Sequence, residues 1–118
     1  MNTNNTKVYK MSFANVYPHY IAKVEKKWHT KEEVNKIIYW LTGYDDKDLQ
    51  KILDIGTDFE TFFTQAPRIH PNADKITWVI CGYRIEEIQD PIIRQVRYLD
   101  KLIDELAKWR SMDKILRK

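Results

Sequence analysis

The residues best suited to chemistry in this chain begin at Cys81-Gly82-Tyr83-Arg84. A thiol close to a guanidinium can ionise below its ordinary pKa and act as a nucleophile. Glu86 and Glu87 follow directly, and Asp58 and Glu60 form a second acidic pair. If the two blocks met across a cleft, Arg84 and these carboxylates could work as general acid and base. Phe59, Phe62 and Phe63 could floor a pocket for a small molecule. The candidate pocket read from these types is therefore Asp58, Phe59, Phe62, Cys81, Arg84 and Glu87, between a 57–66 helix and the 81–87 segment.

Ordinary structural roles account for the same residues. A short helix needs large apolar side chains to stay docked, which explains the phenylalanines. Asp58 and Glu60 suit the first turn of their helix. No histidine lies near Cys81 in sequence, and a buried structural thiol fits it as well as a nucleophile. His19, His29 and His70 share no ligand spacing, and Cys81 has no cysteine partner, so no metal set is formed. The sequence supplies no catalytic residues, no metal site and no cofactor signature, and it leans away from an enzyme.

The elements that would position these groups read as helices. Pro18 suits the first turn of a helix running to about Trp28, with Ile21, Val24 and Trp28 on one face. Thr30 and Glu33 form a capping box for the next helix, which Gly43 stops. Asp45 or Asp46 opens a third, ending at Gly56, and Thr57 with Glu60 reads as a second capping box. Asn72 can cap a helix through Ile76, Val79, Ile80 and Tyr83. The alternative there is two strands around Cys81-Gly82, which the β-branched residues favour. Helix is preferred, because an isolated hairpin in a helical chain has no evident partner strand. Residues 7–15 read as short and extended.

The clearest element runs over 91–110. Asp90 caps it and Pro91 fits its first turn. Ile92, Val96, Leu99, Ile103 and Leu106 recur at spacings of three and four, and Leu102 and Trp109 widen the stripe. Ser111 then caps a last turn, Met112 to Arg117. These elements predict one all-α domain over 1–118, a compact bundle of five to seven helices with a possible short hairpin at 76–88. Residues 1–7 read as a frayed polar tail.

Bulk properties narrow the function classes. The chain has 118 residues, 43% hydrophobic and 31% charged, as expected of a globular protein. Its longest apolar runs fall far short of a membrane span, and its start lacks a secretion pattern. With a single cysteine, this fits a cytoplasmic setting. The formal net charge of +3 is unevenly placed. Residues 7–31 carry six lysines against Glu25, residues 44–64 carry six acids against Lys47 and Lys51, and residues 108–118 carry five bases against Asp113. Such polarity can steer association. The recognition-helix position of a helix-turn-helix reading, 45–54, is acidic, which argues against nucleic acid except through the two basic blocks.

Three blocks carry a resemblance. They are Met11-Ser-Phe-Ala-Asn-Val-Tyr-Pro with Trp40-Leu-Thr-Gly-Tyr; Gly56-Thr-Asp-Phe-Glu-Thr-Phe-Phe-Thr-Gln-Ala-Pro; and Cys81-Gly-Tyr-Arg-Ile-Glu-Glu-Ile-Gln-Asp-Pro with Arg97-Tyr-Leu-Asp-Lys-Leu-Ile-Asp-Glu-Leu-Ala-Lys. The chain resembles the bacterial family catalogued as domain of unknown function 2200 over about residues 8 to 117. The resemblance implies a small, standalone cytoplasmic protein with no assigned activity and no catalytic residues to carry over. It also implies small residues, often glycine, where this chain has Trp78 and Trp109.

The functional expectation is a protein-association module. Its apolar seam would be Ile92, Val96, Leu99, Leu102, Ile103, Leu106 and Trp109, which is wider than a small core requires and suits a homo-oligomer. The alternatives are a small-molecule binder or enzyme at the candidate pocket and a weak nucleic-acid binder through the basic ends.

Overall fold

The computed structural model describes residues 3–117, with side chains from residue 6 onward. Seven α-helices are present among the described residues: α1 (Thr3–Lys10), α2 (Phe13–Glu25), α3 (Lys31–Thr42), α4 (Asp46–Ile55), α5 (Phe59–Thr64), α6 (Pro91–Ala107) and α7 (Met112–Ile115). Between α5 and α6 lie two 3₁₀ turns and a two-stranded hairpin, β1 (Val79–Ile80) and β2 (Tyr83–Arg84). The fold is all-α, and α6 runs through its middle. Phe13, Val24, Val34, Ile37, Ile38, Leu41, Phe62, Leu99, Leu102, Ile103, Leu106 and Ile115 are all buried in one apolar cluster.

Local signals set most boundaries. Thr30 and Glu33 form the capping box of α3, and Asp45 and Asp48 form another for α4. Gly43 and Gly56 end those helices in the left-handed conformation, which glycine enters without a Cβ clash. Asp90 accepts from the Ile92 and Ile93 amides at 2.9 and 3.1 Å, with Pro91 in the first turn. At α5 the cap is Asp58, not Thr57: its carboxylate accepts from the Thr61 amide at 2.8 Å.

The start of the chain departs from expectation. From Thr3 to Lys10 it is helical; Met1 and Asn2 lie outside the described residues. Val8 packs against the core, Tyr9 donates its hydroxyl to Asp90, and Lys7 and Lys10 sit at the negative end of the helix. The expected extended stretch 7–15 shrinks to the joint between α1 and α2. There the Phe13 amide donates to the Thr57 carbonyl at 2.8 Å and the Phe59 amide to the Met11 carbonyl at 2.9 Å. Pinned at that joint, α2 begins at Phe13 and contains Pro18 in its interior.

The preferred helix over residues 74–88, capped by Asn72, is also corrected. Pro71–Lys75 is a 3₁₀ turn, and an antiparallel hairpin follows with Ile80 opposite Tyr83. Cys81 and Gly82 both have positive φ, at 53° and 81°, as a two-residue hairpin turn requires. The partner that sequence reasoning could not find is a helix. Ile76, Ile80 and Ile85 are buried in the common core, and the Lys101 ammonium on α6 donates to the Val79 carbonyl at 3.1 Å.

Candidate functional site

Most side chains of the sequence-derived pocket have structural roles or lie exposed. Phe59 and Phe62 are buried, and Phe62 stacks on Phe13 at 4.2 Å. Asp58 is engaged as a helix cap. Cys81 is exposed at the hairpin tip, Arg84 lies 5.1 Å over the Trp78 ring, and Glu87 is exposed on the second 3₁₀ turn. Glu86 accepts from the Trp78 amide, so that carboxylate is structural too. Among the described residues no group of three His, Cys, Asp or Glu is placed to hold a metal ion.

The proposed seam on α6 faces inward. Val96, Leu99, Leu102, Ile103 and Leu106 are buried against the chain's own helices, and Ile92 is partly buried beside them. Of the seven only Trp109 is exposed. The width of the stripe is explained by neighbours on all sides: α1, α2, α3, α5, α7 and the hairpin each touch α6.

What the fold does bring together is charge. The ends of α2 and α6 lie side by side, so the basic block near residue 25 meets the one near residue 110. Lys23 reaches Asp104 at 3.1 Å, and Lys108 reaches the same carboxylate at 3.0 Å. Burial alone would raise the Asp104 carboxyl. The hydrogen bonds and charges of Lys108 and Lys23 outweigh it and hold the group below its ordinary value.

Two clefts of about 610 Å³ each flank this pair. One lies between the helices and is lined by Lys23, Lys26, Lys27 and Lys108, with Ala22 and Ala107 as an apolar wall. The other, towards α7, adds Lys101, Arg110 and Lys114. Trp109 borders both. The linings hold seven lysines and arginines against two carboxylates, Asp104 and Glu105. Both carboxylates are already paired, Glu105 with Arg117 at 2.6 Å. Lys26, Lys27 and Lys114 form no ion pair among the described residues.

Each basic block is visible in sequence, but nothing in sequence says that they meet; the link is the packing of α2 on α6. Lys118 lies outside the described residues. No helix is long and apolar enough to cross a membrane.

An all-α domain with a lysine-lined cleft, and without an assembled catalytic set among its described residues, is the class that fold and site define. The chain belongs to the family described as "Uncharacterized protein conserved in bacteria (DUF2200)", whose model matches residues 7–117. It is similar to a crystal structure described as that of the uncharacterized protein SP1917. The two share 46% identity with a TM-score of 0.87, over 93% of this chain and 90% of the other. No curated protein matches. Two of the family-like blocks, at Met11 and Gly56, are the strands of chain that cross at the α1–α2 joint.

Proposed function

We propose that this protein is an association module whose docking face is the basic trough at the joined ends of α2 and α6, and that it receives an acidic segment of a partner protein. The carrying observation is the excess of cations there, four of the seven without an ion pair among the described residues, beside an alanine-lined wall. Such a surface steers an acidic partner and fixes its register. A polypeptide suits it better than nucleic acid. Asp104 and Glu105 interrupt the cationic lining, whereas a phosphate backbone favours an unbroken basic stripe.

Self-association enters through the same face. The chain's own α4 presents Asp46, Asp48 and Asp54, and a second copy could offer it to the trough. The buried α6 stripe does not support an apolar dimer seam.

The test is titration of a Glu-rich peptide and, separately, a single-stranded oligonucleotide into the protein at low salt. The expected result is peptide binding that weakens with salt, with sedimentation reporting any self-association under the same conditions. The triple variant Lys26→Glu, Lys27→Glu, Lys114→Glu should lose affinity by roughly tenfold or more, about 1.4 kcal/mol or above. Peptide binding that is absent, or unchanged in this variant, refutes the reading. Preference for the oligonucleotide would replace the partner class.

A further inference from the structure

All three glycines have positive φ: 78° at Gly43, 71° at Gly56 and 81° at Gly82. Three of the four tryptophans share that signature, with φ of 67° at Trp28, 82° at Trp78 and 68° at Trp109. Only Cys81 joins them among the described non-glycine residues. For a bulky side chain this backbone region is an outlier; when glycine is absent, Asn and Asp are the usual occupants.

Two of the three positions are glycine positions by hydrogen bonding as well. After α2, the His29 amide donates to the Val24 carbonyl and the Trp28 amide to the Glu25 carbonyl, each at 3.0 Å. After α6, the Arg110 amide donates to the Glu105 carbonyl at 3.0 Å and the Trp109 amide to the Leu106 carbonyl at 3.1 Å. Both are Schellman closures, and the tryptophan stands at the left-handed C′ site where glycine is the common residue. Trp78 bends the chain into β1, and its carbonyl accepts from the Ile85 amide at 2.9 Å.

The rings add little to the fold. Trp28, Trp78 and Trp109 are 86%, 62% and 60% exposed, although tryptophan is on average a well-buried residue. No two of these rings are in contact among the described residues, so they do not pool into one aromatic patch. The Trp109 ring lies 4.6 Å from that of His29, whose Nε2 is buried without a hydrogen-bond partner among the described residues. Trp40 behaves differently: it is helical, packs against the core and stacks on His70 at 4.2 Å.

We infer that positions 28, 78 and 109 are glycine in the protein the cell makes. They are specified by UGA codons that its tRNAs read as glycine and that translation with UGA as tryptophan renders as tryptophan. UGA is read as stop, tryptophan or glycine in different bacterial codes, so one reassignment explains all three positions and leaves Trp40 alone. The strain then disappears at three turns, and His29 Nε2 is opened to solvent. Both basic clefts lose the indole that borders them, while Asp104 and Lys108, which also line both, stay in place. The inference stands apart from the docking proposal, since no lysine of the trough changes.

Peptide mass spectrometry of the protein from its source cells, read beside the gene, tests it. Peptides spanning 28, 78 and 109 should each be lighter by the difference between tryptophan and glycine, with UGA at those codons and UGG at codon 40. Tryptophan in those peptides, or UGG at those codons, overturns the inference. In recombinant protein, the triple variant Trp28→Gly, Trp78→Gly, Trp109→Gly should melt several degrees higher than the tryptophan form, whereas Trp40→Gly should melt lower. A triple variant that is no more stable removes the conformational ground for it. None of these readouts involves a ligand, so they fail or succeed independently of peptide binding.

Discussion

At the scale of single residues, His70 carries a function that its type alone did not announce. Its ring stacks on Trp40, and its Nδ1 accepts from the Asn72 amide at 3.0 Å, capping the 3₁₀ turn. That nitrogen must be unprotonated to accept. Burial, and secondly the charge of Arg68, lowers its pKa below 6.5. The folded chain therefore binds this proton less readily than the unfolded one. The stability tied to His70 is complete above the unfolded value and is lost as pH falls through the lower folded value. Thermal melts from about pH 7 to about pH 5 should show a falling midpoint, and His70→Asn, which keeps an acceptor for the same amide, should flatten that slope. An unaltered slope in the variant would assign it to other groups. Gly43 is a second position decided by one atom. A Cβ there would meet the Arg68 amide nitrogen at 3.3 Å with φ at 78°, so Gly43→Ala should cost at least about 1 kcal/mol in chemical denaturation.

At the scale of elements, the helices with strong punctuation were legible and those held by distant contacts were not. The capping box at Thr30, the helix start at Asp45, glycine stops at 43 and 56, and the Asp90–Pro91 start are local signals and appear where the residues put them, whereas the capping box read at Thr57 gives way to a cap at Asp58. Helix α1 has no such signal; it is held by Val8 and by Tyr9 on Asp90, a residue far along the chain. The hairpin was misjudged because its stabilising surface is α6 rather than a third strand. Phe59 and Phe62 of the candidate pocket pack on Phe13, which sequence periodicity does not place in the core. The short α7 illustrates how a weak element is retained. Arg117 forms a two-pronged pair with the buried Glu105 at 2.6 and 2.8 Å, and Ile115 is fully buried beneath it. Arg117→Ala leaves that buried carboxylate facing only Arg110, 3.9 Å away, and should cost up to about 3–5 kcal/mol. Arg117→Ala together with Glu105→Gln should recover much of the loss, and a double variant as unstable as the single would refute the pairing argument.

At the scale of the whole molecule, the question is what the apolar stripe of α6 is for. A seam between copies and a core within one copy predict opposite responses to the same substitution. In the structure Leu99 and Leu102 are fully buried among helices of their own chain, so truncating either creates a cavity in the monomer. Leu99→Ala or Leu102→Ala should therefore destabilise by about 2–5 kcal/mol, in a melt whose midpoint does not depend on protein concentration. Sedimentation of the folded variant should match that of the parent. Were the stripe an interface, the same variants would dissociate an oligomer, and the parent's midpoint would rise with concentration. The charged trough gives the contrasting signature. Its lysines are at the surface, so reversing Lys26, Lys27 and Lys114 should leave folding within about 0.5 kcal/mol while weakening the proposed salt-sensitive association by roughly tenfold or more. Stability and the proposed association thus separate in space: the apolar face of α6 holds the fold together, and the proposed docking face is the basic trough built from the ends of α2 and α6 and from α7.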